Sequence, residues 1–347
     1  MIKEGIINVY KPQNYTSHDC VNVIRSLTGV KRVGHTGTLD PMATGVLPIC
    51  IGSAARITEY LDLDFKGYSC TMKLGLSTDT LDIWGEVQED KCQEARLLIE
   101  SGSINRESIE KALEQFRGTI EQIPPKYSAL KVEGRKLYEY ARAGKEVEIK
   151  ARKVYIEDIK LVDTDLENLQ FSFQIVCSKG TYIRSICRDI GEILGAPGCM
   201  TGLERTFSGV FKVENAVSIE ELKALKQGED ERNPETGRIV KYARAREEDI
   251  NLYIGHIHPA LSHFGRAVIT PEVGEVFCNG GFLYPPDVKV EEEPEYKEKD
   301  AHIEVRPEFR LAYNFFDSTG RFLGVGFFRE VEGKYKADKV FSRPIYG

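Results

Sequence analysis

The spacing of apolar residues predicts alternating short strands and helices over the first 200 residues. Residues 6–9 predict a short strand, and 66–74 alternate as a second one. Ser17 suits the N-cap of a helix that ends near Gly29. The same reasoning predicts a helix from Ser53, a helix from Asn105 to Gly118, strands over 154–162 and 169–177, and a helix over 183–194 closed by Gly195. Because these elements lack regular βαβ order, an α+β fold with a largely antiparallel sheet is favoured.

Residues 33–52 show neither helical nor strand periodicity and therefore predict a long loop. Its centre, residues 34–45, reads GHTGTLDPMATG, and Pro41 restricts Asp40 to an extended backbone. Long loops without secondary structure are often functional. Asp40 is therefore a candidate catalytic residue, with an ordinary Asp-Pro turn as the alternative. His35 is open to both readings, as a functional or as a structural histidine.

The chain changes character in its last third. Residues 226–250 are polar and predict a helix or a linker. Beyond them, short strand candidates occur at 266–270, 275–278, 310–316, 321–328 and 335–341. They indicate a small β-barrel-like domain, in which the acidic stretch 291–300 would be a solvated loop. Since 347 residues exceed the usual size of one core, we expect domains at 1–262 and 263–347.

Charge is distributed very unevenly along the chain. The net charge of −7 is accounted for by 228–235, which carries −3, and 291–300, which carries −4. In contrast, 124–153 has nine basic and four acidic residues, with three tyrosines among them. An acidic total therefore does not exclude a basic RNA-binding face.

The cysteines and histidines do not predict a metal site. No two of the eight cysteines are closer than ten residues, so there is no CxxC half-site. His256 and His258 form the one close histidine pair, and two ligands do not make a site. The sequence contains no apolar run of about 18 residues and no signal-peptide pattern at its start. We expect buried thiols, no metal and a cytoplasmic location.

Several motifs resemble the TruB family of tRNA pseudouridine synthases. The loop sequence GHTGTLDPMATGVLPI, from residue 34, is similar to the family's catalytic motif. Six further segments resemble family motifs in the family's order: KPQNYTSHD at 11–19, GYSC at 67–70, GLSTDTLDIWG at 75–85, IPPKYSALKVEGRKLYEYAR at 123–142, CSKGTYIRSICRDIGEILG at 177–195 and GLERTFSGVF at 202–211. The resemblance covers nearly all of 1–225 and, more weakly, the C-terminal region.

The resemblance implies a fold and a reaction. The fold would be that of the pseudouridine synthases, a mixed, largely antiparallel sheet flanked by helices, with a PUA-like C-terminal β domain. The reaction would convert uridine 55 in the T loop of tRNA to pseudouridine after base flipping. The N1–C1′ bond breaks, the uracil rotates, and it reattaches through C5. This isomerisation needs no cofactor, and the expected partner is tRNA, bound by a monomer without a guide RNA or a membrane.

The resemblance also assigns roles to pocket residues. Asp40 would start glycosidic cleavage, either as a nucleophile at C1′ or as a base toward a glycal. Arg184 would pair with Asp40 and lower its pKa. Tyr68 would stack on the flipped uracil, Tyr182 would orient it, and Leu203 would line the floor beneath it.

The remaining implied roles concern RNA contact. His35 would contact the T-loop backbone or fill space left by flipped nucleotides. Asp82 resembles an acid that contacts the T loop, although it could merely cap a turn. The segment 124–153 matches the family's RNA-binding insertion, whose expected phosphate contacts are Lys131, Arg135 and Lys136.

Two departures from the family pattern qualify these expectations. Asn14 replaces the usual glycine, and asparagine is the residue that best tolerates the left-handed turn after glycine. The acidic stretch 291–300 puts in doubt RNA contact over the whole C-terminal face.

Three other functions compete with a standalone enzyme. A guide-RNA-dependent synthase of the dyskerin type would carry lysine-rich tails, whereas this sequence ends in RPIYG. A tRNA-folding chaperone would not need Asp40. A general RNA-binding module would leave the 33–52 loop unexplained.

Overall fold

The computed structural model describes residues 2–63, 65–297 and 305–341. The chain forms two compact units. The first draws its residues from the ranges 1–41, 46–63 and 209–347, and the second from 42–45 and 64–208. Our domain boundary at residue 262 follows sequence composition instead, and it stays a prediction.

Residues 2–63 contain one α-helix and three strands, which are β1 Gly5–Lys11, α1 Ser17–Thr28, β2 Val33–His35 and β3 Thr44–Ile51. The N-cap of α1 is Thr16 rather than Ser17, because Thr16 and Asp19 form a reciprocal capping box. Gly29 closes α1 in the left-handed region, as predicted. The helix predicted from Ser53 is a 3-10 helix, Gly52–Ile57.

The prediction that 33–52 is one loop was wrong. β2 and β3 pair antiparallel, with Val33 opposite Ile51 and His35 opposite Ile49. Such pairing is a contact between distant positions, and the local sequence pattern of a three-residue strand does not reveal it. The irregular part is therefore confined to residues 36–43.

The second unit is built on an antiparallel sheet with the order β12-β4-β11-β10-β7. Its elements are β4 Lys66–Leu74, β5 Leu76–Thr78, β6 Val87–Asp90, α2 Cys92–Glu100, α3 Arg106–Glu114, β7 Gly118–Gln122, β8 Lys131–Val132, β9 Arg135–Lys136, α4 Leu137–Arg142, β10 Arg152–Asp165, β11 Gln170–Cys177, α5 Ile183–Leu194 and β12 Gly198–Ser208. This confirms the α+β prediction. Asn105 caps α3 as predicted, but the helix ends at Glu114 and Gly118 begins β7.

The remaining elements belong to the first unit. They are β13 Phe211–Lys212, β14 Val217–Ser218, α6 Ile219–Ala224, β15 Glu231–Arg232, β16 Ile239–Lys241, α7 Glu247–Ile250, β17 Gly265–Ile269, α8 Pro271–Cys278, β18 Phe282–Leu283, β19 Lys289–Glu292, β20 Ala312–Asp317, β21 Phe322–Arg329 and β22 Lys334–Val340. The last six strands form one sheet, in the order β18-β22-β21-β20-β17-β19. The strand predicted at 275–278 is the end of α8, which Thr270 caps and Pro271 starts.

The acidic stretch is only partly the solvated loop that we predicted. Glu291 lies in β19, where its carboxylate is 3.1 Å from Arg266 Nε and 3.0 Å from Lys289 Nζ. The hydroxyl of Tyr313 donates a 2.7 Å hydrogen bond to Glu293. Residues 298–300, and the terminal RPIYG at 343–347, lie outside the described residues.

The apolar side chains of β1 and α1 form one core of the first unit. Ile7 and Val9 of β1 pack with Cys20, Val21 and Ile24 of α1. This packing fixes the ends of β1 and α1 that face the irregular segment. Within the described part of the chain, no helix is long and apolar enough to cross a membrane.

Candidate active site

The loop 36–43 is fastened to the start of α1. Ser17, which is 3% exposed, donates through Oγ to the carbonyl of Leu39 at 3.1 Å and accepts from the Leu39 N–H at 2.9 Å. Leu39 itself is buried, whereas Asp40 is half-buried. The peptide group before Asp40 is therefore held by a single buried hydroxyl.

The carbonyl of Pro41, the residue after Asp40, is held by Lys11 and Asn14. Lys11 is fully buried, and its Nζ donates to the carbonyls of Pro12, Tyr15 and Pro41 at 2.9, 2.7 and 3.1 Å. The N–H of Asn14 also donates to Pro41 O, at 2.9 Å. Asn14 has φ 67°, which confirms the left-handed turn predicted where asparagine replaces glycine. An ammonium with several carbonyl acceptors is stable in a buried position.

His35 lies at the end of β2 and is half-buried. Its Nδ1 accepts a 3.3 Å hydrogen bond from the N–H of Gly37. This contact is what a structural histidine would make, and a contact of His35 with RNA stays a prediction.

The last glycine of the loop motif, Gly45, lies where the backbone of a neighbouring strand comes very close. Thr44 and Gly45 run parallel to Glu204 and Arg205 of β12. Gly45 has φ 103°, and a Cβ there would lie 2.2 Å from the carbonyl oxygen of Arg205. Since no side chain fits that close approach, glycine is required.

β4 and β12 present several candidate residues on one face of the sheet. Tyr68 lies opposite Arg205, and Leu203 lies opposite Cys70. Residues opposite each other or two apart in a strand share a face, so these four side chains lie together. The face is covered by α5, since Cys70 Sγ is 3.6 Å from Cys187 Sγ. The structure thus brings Tyr68 and Leu203 together.

Arg205 is a buried charge that sequence reasoning missed. It is 1% exposed, and its side chain hydrogen-bonds to that of Tyr68. Burial lowers the pKa of Arg205, and Tyr68 partly opposes that effect. A signal was present in the sequence. In GLERTFSGVF, Arg205 stands between two apolar residues of the same alternating set, Leu203 and Phe207.

Arg184, in the first turn of α5, is almost fully buried. Its Nη1 donates to Thr80 O at 2.8 Å, and its Nη2 donates to Tyr127 O at 3.0 Å. Nη1 also lies 3.5 Å from the Asp82 carboxylate. The structure therefore brings together Arg184 and Asp82, whereas pairing of Arg184 with Asp40 stays a prediction. The turn-capping alternative for Asp82 holds as well, since its Oδ1 accepts from Thr80 Oγ1 at 2.7 Å.

Tyr182 occupies the N-cap position of α5 and is half-buried. Its backbone N–H donates to Gln122 Oε1 at 2.8 Å, and its carbonyl accepts from Gln122 Nε2 at 3.1 Å. Gln122 is 1% exposed. This buried amide fixes the backbone from which the Tyr182 ring projects, a role that no motif indicated.

The basic segment 124–153 carries exposed cations on a small hairpin. β8 and β9 pair antiparallel, and Lys131 lies directly opposite Lys136. Like charges placed opposite each other destabilise a hairpin, and a bound polyanion would remove that cost. Arg135, in the same hairpin, is exposed.

The tyrosines of the segment lie among its cations. Lys136 Nζ is 5.4 Å and Arg142 Cζ is 5.3 Å from the centre of the Tyr138 ring. The segment also lines a cleft of about 830 Å³, together with residues that include Thr78, Asp79 and Arg188. Cations beside aromatic rings and an open cleft are suited to binding an RNA backbone and its unpaired bases.

No group of three or more histidine, cysteine, aspartate or glutamate side chains is arranged to hold a metal within 2–63, 65–297 and 305–341. All eight cysteines are free thiols, and all but Cys92 are buried.

Comparison with known proteins identifies the class. The model of the TruB family pseudouridylate synthase N-terminal domain matches residues 25–183, and that of the tRNA pseudouridylate synthase B C-terminal domain matches 184–245. The chain is 43% identical over 284 residues to a tRNA pseudouridine synthase B of Bacillus cereus, covering 81% of this chain and 84% of that protein. It is 46% identical over 276 residues to one of Clostridium tetani, covering 80% and 84%.

Solved structures give the same fold. The chain resembles a protein in an H/ACA RNP bound to a substrate RNA containing 2′-deoxyuridine, with TM-score 0.65, 20% identity, and coverage of 97% of this chain and 85% of that one. An archaeal box H/ACA sRNP Nop10-Cbf5 complex matches with TM-score 0.65 and 21% identity, over 99% and 86%.

Fold and motifs together define a pseudouridine synthase, and the C-terminal sheet agrees with the predicted PUA-like domain. The chain belongs to the TruB family of tRNA pseudouridine synthases.

Proposed function

We propose that this protein isomerises uridine 55 in the T loop of tRNA to pseudouridine. The proposal is supported by relatives at 43% and 46% identity that are named tRNA pseudouridine synthase B. The reaction starts at Asp40. The observation that carries this assignment is the anchoring of the two residues beside Asp40, Leu39 by Ser17 and Pro41 by Lys11 and Asn14.

A reacting carboxylate benefits from such fixing. Asp40 either attacks C1′ or removes a sugar proton, and both routes require its oxygen within about 3–3.5 Å of one atom of the substrate. A loop that moved freely would lose much of that orientation. Buried anchors on both sides keep the backbone of Asp40 in place before the substrate arrives, while its half-buried side chain stays accessible.

The second unit supplies the surroundings of the base in this proposal. Tyr68 stacks on the flipped uracil and accepts the C5 proton, Leu203 lies beneath the base, and Tyr182 orients it. Arg184 pairs with Asp40 in the reacting complex.

The RNA is held by phosphate contacts from Lys131, Arg135 and Lys136, with His35 and Asp82 at the T loop. Extruding a base costs a few kcal/mol, and backbone contacts supply the affinity that offsets it. The opposed Lys131 and Lys136 support this assignment, because an RNA phosphate would relieve their repulsion.

We propose that the enzyme acts as a monomer on tRNA without a guide RNA. The support is the much higher identity to tRNA pseudouridine synthase B proteins than to the proteins of H/ACA complexes, 43% against 20%. Guide dependence is the alternative, and it is directly testable.

The decisive experiment incubates the purified protein with unmodified tRNA tritiated at uracil C5. We expect stoichiometric tritium release without added guide RNA, and pseudouridine mapped to position 55. Release only when a guide RNA is added would contradict the standalone proposal. Release from a tRNA in which uridine 55 is replaced by cytidine would contradict the assigned position.

A further inference from the structure

The chain has a single tryptophan, Trp84, and the structure places it on the turn that joins β5 to β6. Its side chain is 38% exposed, and the neighbouring Ile83 is 37% exposed. Tryptophan has the largest apolar surface of any side chain, so partial exposure of it at the tip of a turn calls for an explanation.

The turn that carries Trp84 is held together by hydrogen bonds. The N–H of Trp84 donates to Asp82 Oδ1 at 3.3 Å, and Thr78 Oγ1 donates to Asp82 O at 2.7 Å. Asp79 Oδ1 accepts from the N–H of Glu86 at 2.8 Å and so closes the turn at its base. A flexible loop would lose conformational entropy on binding a ligand, whereas this one is already ordered.

The turn is also fastened to the sheet and packed against itself. The N–H of Ile83 donates to Met200 O at 2.8 Å, which ties the turn to β12. At Gly85, a Cβ would lie 2.2 Å from Thr80 Oγ1, so the turn is tightly packed where it follows Trp84.

Arg184 connects this turn to the proposed site. It donates to Thr80 O and lies 3.5 Å from Asp82, both in the same turn, and it also donates to Tyr127 O at the start of the basic segment. The hydroxyl of Tyr127 in turn hydrogen-bonds to Asp79, which raises the pKa of Tyr127. Trp84 is thus a partly exposed aromatic ring in a turn that contacts both Arg184 and Tyr127 of the basic segment.

We propose that Trp84 is a stacking platform for an unpaired nucleobase of the substrate RNA, and so a positioning residue that strengthens binding without taking part in the chemistry. Every base has a π-face, and stacking on a fixed aromatic ring needs no particular base identity. Rigid aromatic side chains also gain contact area at low entropic cost. This inference rests on the proposed function, because it requires the RNA substrate.

The direct test uses the fluorescence of Trp84 in the wild-type protein. Titration with an unmodified tRNA T-arm stem-loop should quench the emission, with a midpoint equal to the Kd obtained independently by filter binding. Tritium release by the same preparation reports the proposed function separately. Binding and release without any change in emission would overturn the stacking role and leave the proposed function standing.

Substitutions separate stacking from a structural role. Trp84→Ala should raise Kd and KM about tenfold, the low-to-middle range for loss of one stacked base, and leave kcat within twofold. Trp84→Phe should recover most of the affinity because a ring remains. The control is Leu97→Ala, which removes another exposed apolar side chain of the same unit and should change neither constant. Equal Kd values for the alanine variant and wild type, or a fall in kcat with Kd unchanged, would overturn the proposal.

Discussion

The loop around Asp40 and the hairpin that carries Lys131 and Lys136 use basic residues in opposite ways. Lys11 is fully buried and donates to three backbone carbonyls, so its charge fixes a segment of chain. Lys131 and Arg135 are exposed, and Lys131 faces another lysine across the hairpin. The same residue type thus fixes geometry where chemistry is proposed and offers charge where RNA binding is proposed.

Replacing Asp40 should give the largest effect. Asp40→Asn keeps the shape but provides neither a nucleophile nor a base, so turnover should be abolished, since acid–base function alone contributes about 10²–10⁴-fold. The affinity for tRNA should change little because phosphate contacts dominate it. Single-turnover tritium release and filter binding measure both. Asp163→Asn, at an exposed position of β10, is the matched control. Turnover within tenfold of wild type would rule out the assignment of Asp40.

Arg184 tests whether a buried cation in the second unit is needed for stability and for turnover. Arg184→Ala leaves Asp82 without its buried cation and should lower the free energy of unfolding by about 3–5 kcal/mol. Turnover should fall heavily, because the proposed partner of Asp40 is lost. Arg184→Lys keeps the charge but not the bidentate geometry of a guanidinium. It should therefore recover only part of the lost stability and part of the lost turnover. Unchanged turnover by a folded Arg184→Ala protein would exclude the proposed pairing with Asp40.

Lys11 tests whether catalysis needs the backbone anchor beside Asp40. Lys11→Met deprives three carbonyls of a buried donor, and each buried group left unsatisfied costs about 1–3 kcal/mol. Stability and kcat should both fall while Kd for tRNA changes little. Denaturant unfolding and single-turnover rates check this, with Lys3→Met at an exposed lysine as control. A stable variant with normal kcat would mean that Asp40 does not need this anchor.

The exposed cations should give the smallest effect on chemistry. Replacing Lys131, Arg135 and Lys136 with alanine should weaken binding and lower its salt dependence, because each lost phosphate contact removes about 0.7–0.9 from the log–log slope. Turnover at saturating tRNA should fall less than affinity. The control replaces three exposed cations of the same unit, Arg106, Lys111 and Lys160. Equal salt slopes for the hairpin variant and wild type would show that this segment does not contact the phosphates.

Local signals in the sequence predicted part of the fold well. The existence of helices α3 and α5 followed from apolar periodicity, and the left-handed conformation of Asn14 was expected because asparagine stands where the family has glycine. The error over 33–52 arose because a distant partner decides the outcome, since β2 pairs with β3. The error at 275–278 has a local cause. Residues 275–278 have the composition of a strand, yet a cap at Thr270 and a proline at the first turn start a helix that includes them.

The sequence by itself determined the family, the α+β class and the motif that contains Asp40, because these depend on residue identity and on spacing along the chain. Only the tertiary structure decided that Lys11 anchors Pro41, that Arg184 pairs with Asp82, and that Arg205 is buried beside Tyr68. Each of these contacts joins residues far apart in the chain. The burial that makes a charge seek such a partner exists only once the strands and helices have packed.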